Sequence, residues 1–298
     1  MGAKKLGGTV AVVTGASRGG GRGIAVELGA AGATVYVTGR TTRNSEVGTY
    51  GSFLREVGLA TMPGNIDETA DEVSRAGGNG IAVRCDHTRE DEVRALFARV
   101  EREQGRLDLL VNNAWGGHET FNPSSTAPFW EQPLESWDSM FDRGVRNHVL
   151  ASRFAAPMMV RQNTGLIVTT TFWDRGRYLK GSLFYDLAKA AMNRLAEGMA
   201  EELRPHGVAS VALSPGWMRT ELVLAHMRAD EAHWRDNPSL SRTESPRYLG
   251  RAVVALAADR DVLTKTGKVL LVADLAREYA FTDIDGRQPP PFAIEEHA

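Results

Sequence analysis

Val10–Ala25 reads VAVVTGASRGGGRGIA, and the rest of the chain is placed from this stretch. Val10 to Thr14 is a run of apolar or small residues that suits a short buried strand. Glycines follow at 15, 19, 20, 21 and 23, and Ile24, Ala25 and Leu28 begin a helical spacing that stops at Gly32. A strand, a glycine-rich turn and a helix make an anion site. The helix N-terminus offers unpaired N–H groups and partial positive charge, and glycine lets the backbone approach a phosphate. A turn of this kind also occurs with no ligand, so the decision falls to the remaining residues.

Strand and helix signals alternate through the chain. Strands are expected at Thr34–Thr38, Ile81–Cys85, Leu107–Val111, Leu166–Thr170, Val208–Leu213 and Lys268–Val272. Between them lie helical patterns: Ile66 to Arg75 capped by Asn65, one capped by Thr88, a long one from about Leu134 to Val160, Leu183–Leu203 and Tyr248–Ala258. Such alternation predicts an α/β fold, a single doubly wound parallel sheet of seven strands with helices on both faces. No linker or repeat divides residues 1–298. An irregular insertion at about 41–64, a lid-like segment at about 219–243 and a tail at about 281–298 stand out.

The totals exclude several classes of function. The 298 residues are 42% hydrophobic and 24% charged, with a formal net charge of -2 and no charge blocks. Nothing there points to nucleic acid or an anionic membrane. Cys85 is the only cysteine, which excludes an internal disulfide framework, and none of the seven histidines shows metal-ligand spacing, so no metal is expected. No apolar run reaches the roughly 18–20 residues of a membrane span. The N-terminus lacks a signal-peptide core, and a cytoplasmic protein is expected.

Ligands of such folds sit beyond the C-terminal strand ends, and each motif falls there. Gly15, Ser17, Arg18, Gly19 and Gly21 follow strand one, Arg40 strand two, Asp86 strand three, and Asn112-Asn113-Ala114 strand four. Thr169-Thr170-Thr171 ends strand five, with Tyr185 and Lys189 shortly beyond, and Pro215, Gly216 and Thr220 follow strand six. The TGxxxGxG turn, NNA triplet, YxxxK pair and PGxxxT segment, in this order, resemble the short-chain dehydrogenase/reductase superfamily over almost the whole chain. The resemblance implies a Rossmann-type fold, a nicotinamide cofactor, a carbonyl or alcohol substrate, and a homodimer or homotetramer built on the long helices around strand five.

Tyr185 and Lys189 are the expected acid–base pair. A spacing of four puts both on one helix face. A nearby ammonium lowers a phenol that otherwise titrates near 10, and the same lysine can hold the ribose hydroxyls. For NAD, an acidic residue after strand two usually bonds the ribose 2′-OH. Arg40 stands there instead, with Arg18 in the turn, and two guanidinium groups suit a 2′-phosphate, which favours NADP(H). In the resembled family the position of Asp86 holds the adenine edge, and Asn113, Ala114, Pro215, Gly216 and Thr220 complete the cofactor set. His87 reads as a surface residue.

The chain also departs from the family. A serine is expected 12 or 13 residues before the tyrosine, where Phe172 and Trp173 stand, so Thr171 becomes the candidate for polarising a carbonyl. The family's helix asparagine, which holds a water of the proton relay, is replaced by Gly144, with Asn147 one turn on. Gly20 replaces a bulky aliphatic residue of the glycine turn. Trp115, Trp173 and Trp217 sit on strand-end loops and predict an aromatic-walled pocket for a bulky hydrophobic substrate. The two missing family residues also leave open a cofactor-binding sensor with little catalysis.

Overall fold

The computed structural model of the chain describes residues 4–45, 63–119 and 127–294. Its sheet contains β1 (Val10–Val13), β2 (Thr34–Gly39), β3 (Asn79–Arg84), β4 (Leu109–Asn112), β5 (Gly165–Thr170), β6 (Val208–Ser214) and β7 (Val269–Leu271). All neighbours are parallel, in the order β3-β2-β1-β4-β5-β6-β7. The helices are α1 (Gly19–Ala30), α2 (Ile66–Arg75), α3 (Glu90–Gln104), α4 (Leu134–Met140), α5 (Arg146–Gln162), α6 (Leu183–Leu203), α7 (Glu221–His226), α8 (Pro246–Ala258) and α9 (Val272–Glu278).

Alternate residues of each strand serve opposite layers, as the pleat requires. Ala11 and Val13 of β1 join Ile24 and Leu28 of α1 and Leu256 of α8 in one core. Val10 and Val12 face the other way, into a core shared with Val93 and Phe97 of α3 and Leu150 and Met158 of α5. A strand that is buried on both faces must be apolar throughout, which is why β1 carries no polar residue. The fold is the expected doubly wound α/β sheet. No helix among the described residues is long and apolar enough to cross a membrane.

Local expectations shift in places. Asn65 caps α2 as expected, its side chain accepting from the Glu68 amide at 2.9 Å. Thr88 does not cap α3. It donates to Asp86 Oδ1 from both its amide (3.0 Å) and its hydroxyl (2.7 Å), and α3 starts at Glu90. His87 is buried, not on the surface. The Thr38 hydroxyl gives its one proton to Val13 O (3.1 Å), so at 2.8 Å it accepts from His87 Nε2. Burial pushes His87 down to about 4. Within the long helix expected from about Leu134 to Val160, a π turn, Phe141–Val145, separates α4 from α5. Of the insertion at 41–64, residues 46–62 lie outside the described residues, as do 295–298 of the tail.

Candidate active site

The sheet order reverses between β1 and β4, and the crevice outside their ends is the ligand position of such sheets. The two ends are stitched together. Thr14 Oγ1 accepts from the amides of Asn113 and Ala114, both at 2.9 Å, and the Asn113 side chain donates to Thr14 O and Gly15 O at 3.0 and 3.1 Å. Gly15 has a φ of +64°, and a Cβ there would lie 2.7 Å from Ala114 Cα. Only glycine fits both demands. The aliphatic residue absent at Gly20 is compensated, since Leu249 Cδ2 and Met218 Cε lie 3.2 and 3.4 Å from where its Cβ would be.

A cavity of about 1040 Å³ opens over this crevice. Of the expected cofactor residues, Gly15, Ser17, Arg18, Arg40, Asp86, Asn113, Ala114 and Thr220 line it, whereas Gly19, Gly21, Pro215 and Gly216 do not. The cationic and N–H groups around it already hold partners. The Gly19 amide at the start of α1 donates to Glu221 Oε2 at 3.0 Å, which shows that this helix end accepts a carboxylate oxygen. Arg18 donates to Pro63 O, Gly64 O and Thr41 Oγ1 at 2.8, 3.0 and 3.2 Å. Arg40 is ion-paired with Glu119, whose carboxylate also pairs with Arg143. Thr220 caps α7, accepting from the Val223 amide at 3.3 Å.

Tyr185 and Lys189 lie one turn apart on α6, the amine 5.3 Å from the phenol ring centre. Neither lines that cavity, because the loop after β4 comes between. The Trp115 indole lies over the Lys189 amine, 3.7 Å from Nζ to the ring centre. His118 stacks on the Tyr185 ring at 5.6 Å. Trp115 Nε1 donates to His118 Nδ1 at 3.1 Å, so the neutral imidazole carries its proton on Nε2. Burial pushes His118 down to about 4 and Lys189 down to about 7. Burial, with the neighbouring Asp186 carboxylate, pushes the Tyr185 phenol above its ordinary value. The lowered phenol expected beside a lysine is not produced by this arrangement.

Gly144 lies in the π turn, and a Cβ on it would stand 2.5 Å from Trp115 Cζ3. The carbonyl of Arg143, freed by the π turn, accepts from Gly116 N at 2.8 Å and from Asn147 Nδ2 at 2.7 Å. Asn147 thus fixes the helix irregularity while Gly144 makes room for the indole.

Thr171, expected to polarise a carbonyl, is buried and gives its one hydroxyl proton to Lys189 O at 3.2 Å. Its hydroxyl ties the end of β5 to α6. Next to Thr171, Phe172 tilts toward Tyr185 at 6.1 Å and meets Phe292 at 5.5 Å. The tail folds back across the site, the Ile294 amide donating to Asp174 Oδ2 at 2.7 Å. In the lid-like segment Leu222, Val223 and Met227 line the cavity, while Leu224, Trp234 and Leu240 form a buried cluster against which Val223 and Met227 also pack. Arg219, fully buried, pins this cluster by binding Glu231 Oε1 at 3.0 Å and stacking on Trp234 at 4.3 Å. His118, Glu119, Arg143 and Phe292 escape sequence reasoning, since none belongs to a motif. For the first two the available signal is their position just after Trp115, in a strand-end loop.

Known proteins resemble the chain at the level of both sequence and fold. A family model described as enoyl-(acyl carrier protein) reductase matches residues 55–274. Dehydrogenase/reductase SDR family member 1 of Mus musculus is 43% identical over 94% of this chain and 84% of its own length. A solved short-chain dehydrogenase from Mycobacterium thermoresistibile superposes with a TM-score of 0.77 at 27% identity, covering 98% of this chain and 96% of its own. A 7α-hydroxysteroid dehydrogenase, solved with NADH and 7-oxo glycochenodeoxycholic acid, gives a TM-score of 0.69 at 25% identity and covers 90% of this chain and 94% of its own. With a seven-stranded parallel sheet, a glycine-bearing crevice at its switch point and a Tyr–Lys pair on α6, the chain belongs to the short-chain dehydrogenase/reductase family of oxidoreductases.

Proposed function

We propose that the protein is an NADP(H)-dependent oxidoreductase that interconverts a carbonyl and an alcohol on a bulky hydrophobic substrate. The observation that carries this reading is the Tyr185–Lys189 pair, one helical turn apart and enclosed by Trp115, His118 and Phe172. The crevice fits a dinucleotide on its own geometry: Gly15 permits close approach of the backbone, the Gly19 amide already holds an acidic oxygen, and two arginines line the cavity. Gly15, Ser17, Gly19 and Gly21 would face the pyrophosphate. Arg18 and Arg40 would take the 2′-phosphate, a task to which guanidinium forks are suited. Asp86, Asn113 and Ala114 would line the adenosine side, and Pro215, Gly216 and Thr220 the nicotinamide side. When bound, the cofactor supplies or accepts the hydride.

The chain's own residues handle the proton. Tyr185 Oη gives a proton to the oxygen of a reduced carbonyl, or takes one from an alcohol. Burial and the Asp186 carboxylate both favour the protonated phenol. The Lys189 ammonium works against burial, because positive charge beside the ring favours the phenolate. Thr171 holds the α6 backbone at Lys189 and so sets where the amine starts. The aromatic side chains around Tyr185 exclude water and suit a flat or bulky apolar substrate. A homodimer or homotetramer is part of this reading, and the exposed Val149 of α5 and Leu187 of α6 support it; light scattering tests it.

Replacing Tyr185 by Phe tests the mechanism. Turnover on a panel of bulky ketones should fall by at least a thousandfold, an order set by the loss of general acid catalysis, while NADPH binding persists. Undiminished turnover overturns the mechanism. NADPH binding by the native protein without oxidation across the whole panel would favour a cofactor-binding sensor instead.

A further inference from the structure

We infer that Trp115 is a positioning residue for Lys189: its indole face holds the ammonium in place, and position 144 is glycine so that the ring can reach it. The inference rests on the acid–base reading of Tyr185 and Lys189 given above. Lys189 is buried, and its amine contacts the Trp115 ring at 3.7 Å and Met192 Sδ at 3.8 Å. Buried ammonium groups are ordinarily paired with a carboxylate. The groups that face Lys189 are Tyr185 from its own helix, His118 from the loop after β4 and His148 from α5. Burial pushes both histidines well down, to about 4 and about 3, so both are neutral at pH 7.

A ring face suits this place better than an acid. Its quadrupole attracts the cation but carries no net charge. A carboxylate there would cancel the positive field that Tyr185 needs, whereas the indole leaves that field intact. Lysine has a flexible four-carbon stem, so a buried amine aimed at a phenol needs something to fix it.

The ring is itself fixed from three sides. His118 Nδ1 accepts its N–H at 3.1 Å. Cβ atoms placed on Gly117 and Gly144 would stand 2.5 Å from its Cζ2 and Cζ3 respectively. The backbone beside it is tied to the π turn through Gly116 N and Arg143 O at 2.8 Å. Gly144 is thereby explained by a contact with a residue far away in sequence, not by its own helix.

Titration of the lysines tests the inference without any substrate. The chain has six lysines, so selective ¹³Cε-lysine labelling gives a resolvable NMR spectrum in which Lys189→Met assigns the signal. In Trp115→Leu, which keeps apolar bulk but removes the π face, the Lys189 midpoint should fall by about one pH unit, the size a desolvated cation–π contact allows. In Trp115→Phe it should stay close to the native value, and the pH profile of turnover should shift with the midpoint in each variant. An unchanged midpoint in Trp115→Leu overturns the inference, as does faster turnover at an unchanged midpoint, which would make the indole a plug. For Gly144, replacement by Ala should lower the melting temperature in the native background and raise it in Trp115→Ala, where the clash is gone and helix propensity favours alanine. Equal losses in both backgrounds overturn that part. A shifted midpoint in protein that turns over no substrate upholds the Trp115–Lys189 contact and removes the acid–base reading instead.

Discussion

Glu119 holds Arg40 by an ion pair, with its carboxylate almost wholly buried and shared with Arg143. The residue that reads as the 2′-phosphate clamp therefore meets an acid that must give way. Replacing Glu119 by Gln should tighten NADPH several-fold and leave NADH unchanged, and Arg40→Met should weaken NADPH by about tenfold, roughly one charge-assisted contact. Calorimetric titration with both cofactors measures this. Equal effects on NADPH and NADH would remove Arg40 from phosphate recognition.

Glu221 occupies the N-terminus of α1 in the same manner, 3.0 Å from the Gly19 amide. That site would face the pyrophosphate, which both cofactors share. Glu221→Ala should therefore tighten NADPH and NADH alike, by about three- to tenfold, the range of a helix-end charge effect in a partly buried setting. Weaker binding of both would mean that Glu221 supports the turn instead of competing for it.

Glu244 is buried, and among the described residues no charged group pairs closely with its carboxyl; only the Gly216 backbone amide favours its ionised form at short range. Burial pushes it up to about 8, against an ordinary value of 4.5. Between those two values the folded chain binds a proton that the unfolded chain has released. Its stabilising contribution is thus complete below pH 4.5 and is lost as pH rises through 8. Glu244→Gln, which cannot ionise, should gain melting temperature over the native protein progressively from pH 5 to pH 8.5. A pH-independent difference would show that the carboxyl ionises in the folded chain as readily as in the unfolded one.

Phe292 brings the tail against Phe172, which in turn tilts toward Tyr185. Phe292→Ala should raise KM for bulky ketones roughly tenfold, the loss of about 1.4 kcal/mol of apolar contact, and leave the NADPH dissociation constant unchanged. An equal rise for small ketones, or weakened cofactor binding, would place the tail outside the substrate pocket.

The fold was legible because it depends on local periodicity. Buried parallel strands must be apolar throughout, and each motif marks a strand end. What escaped was tertiary in origin. The π turn at 141–145 depends on Trp115 and on the Gly116 amide, both from a loop in a different part of the chain. Thr171 looked available for substrate because nothing local reveals that Lys189 O would take its hydroxyl. His87 lies past the end of β3, and its burial comes from Thr38 of the neighbouring strand, a contact that no local pattern reveals. Acidic partners such as Glu119 and Glu221 have no motif, since any glutamate within reach of an arginine or a helix end would serve.

The Trp115–Gly144 contact also constrains the order in which such a site can be acquired. Introducing the indole first, opposite any larger residue at 144, collides with a rigid helix backbone, because even a single Cβ there falls 2.5 Å from the ring. Glycine arriving first costs about 1 kcal/mol of helix propensity, a loss that a folded chain can survive. The passable mutational route is glycine before tryptophan, and in reverse, tryptophan lost before glycine. Intermediates along it would carry the hole and not the clash, so reconstructed ancestors of this chain that have the glycine alone should melt higher than those that have the tryptophan alone.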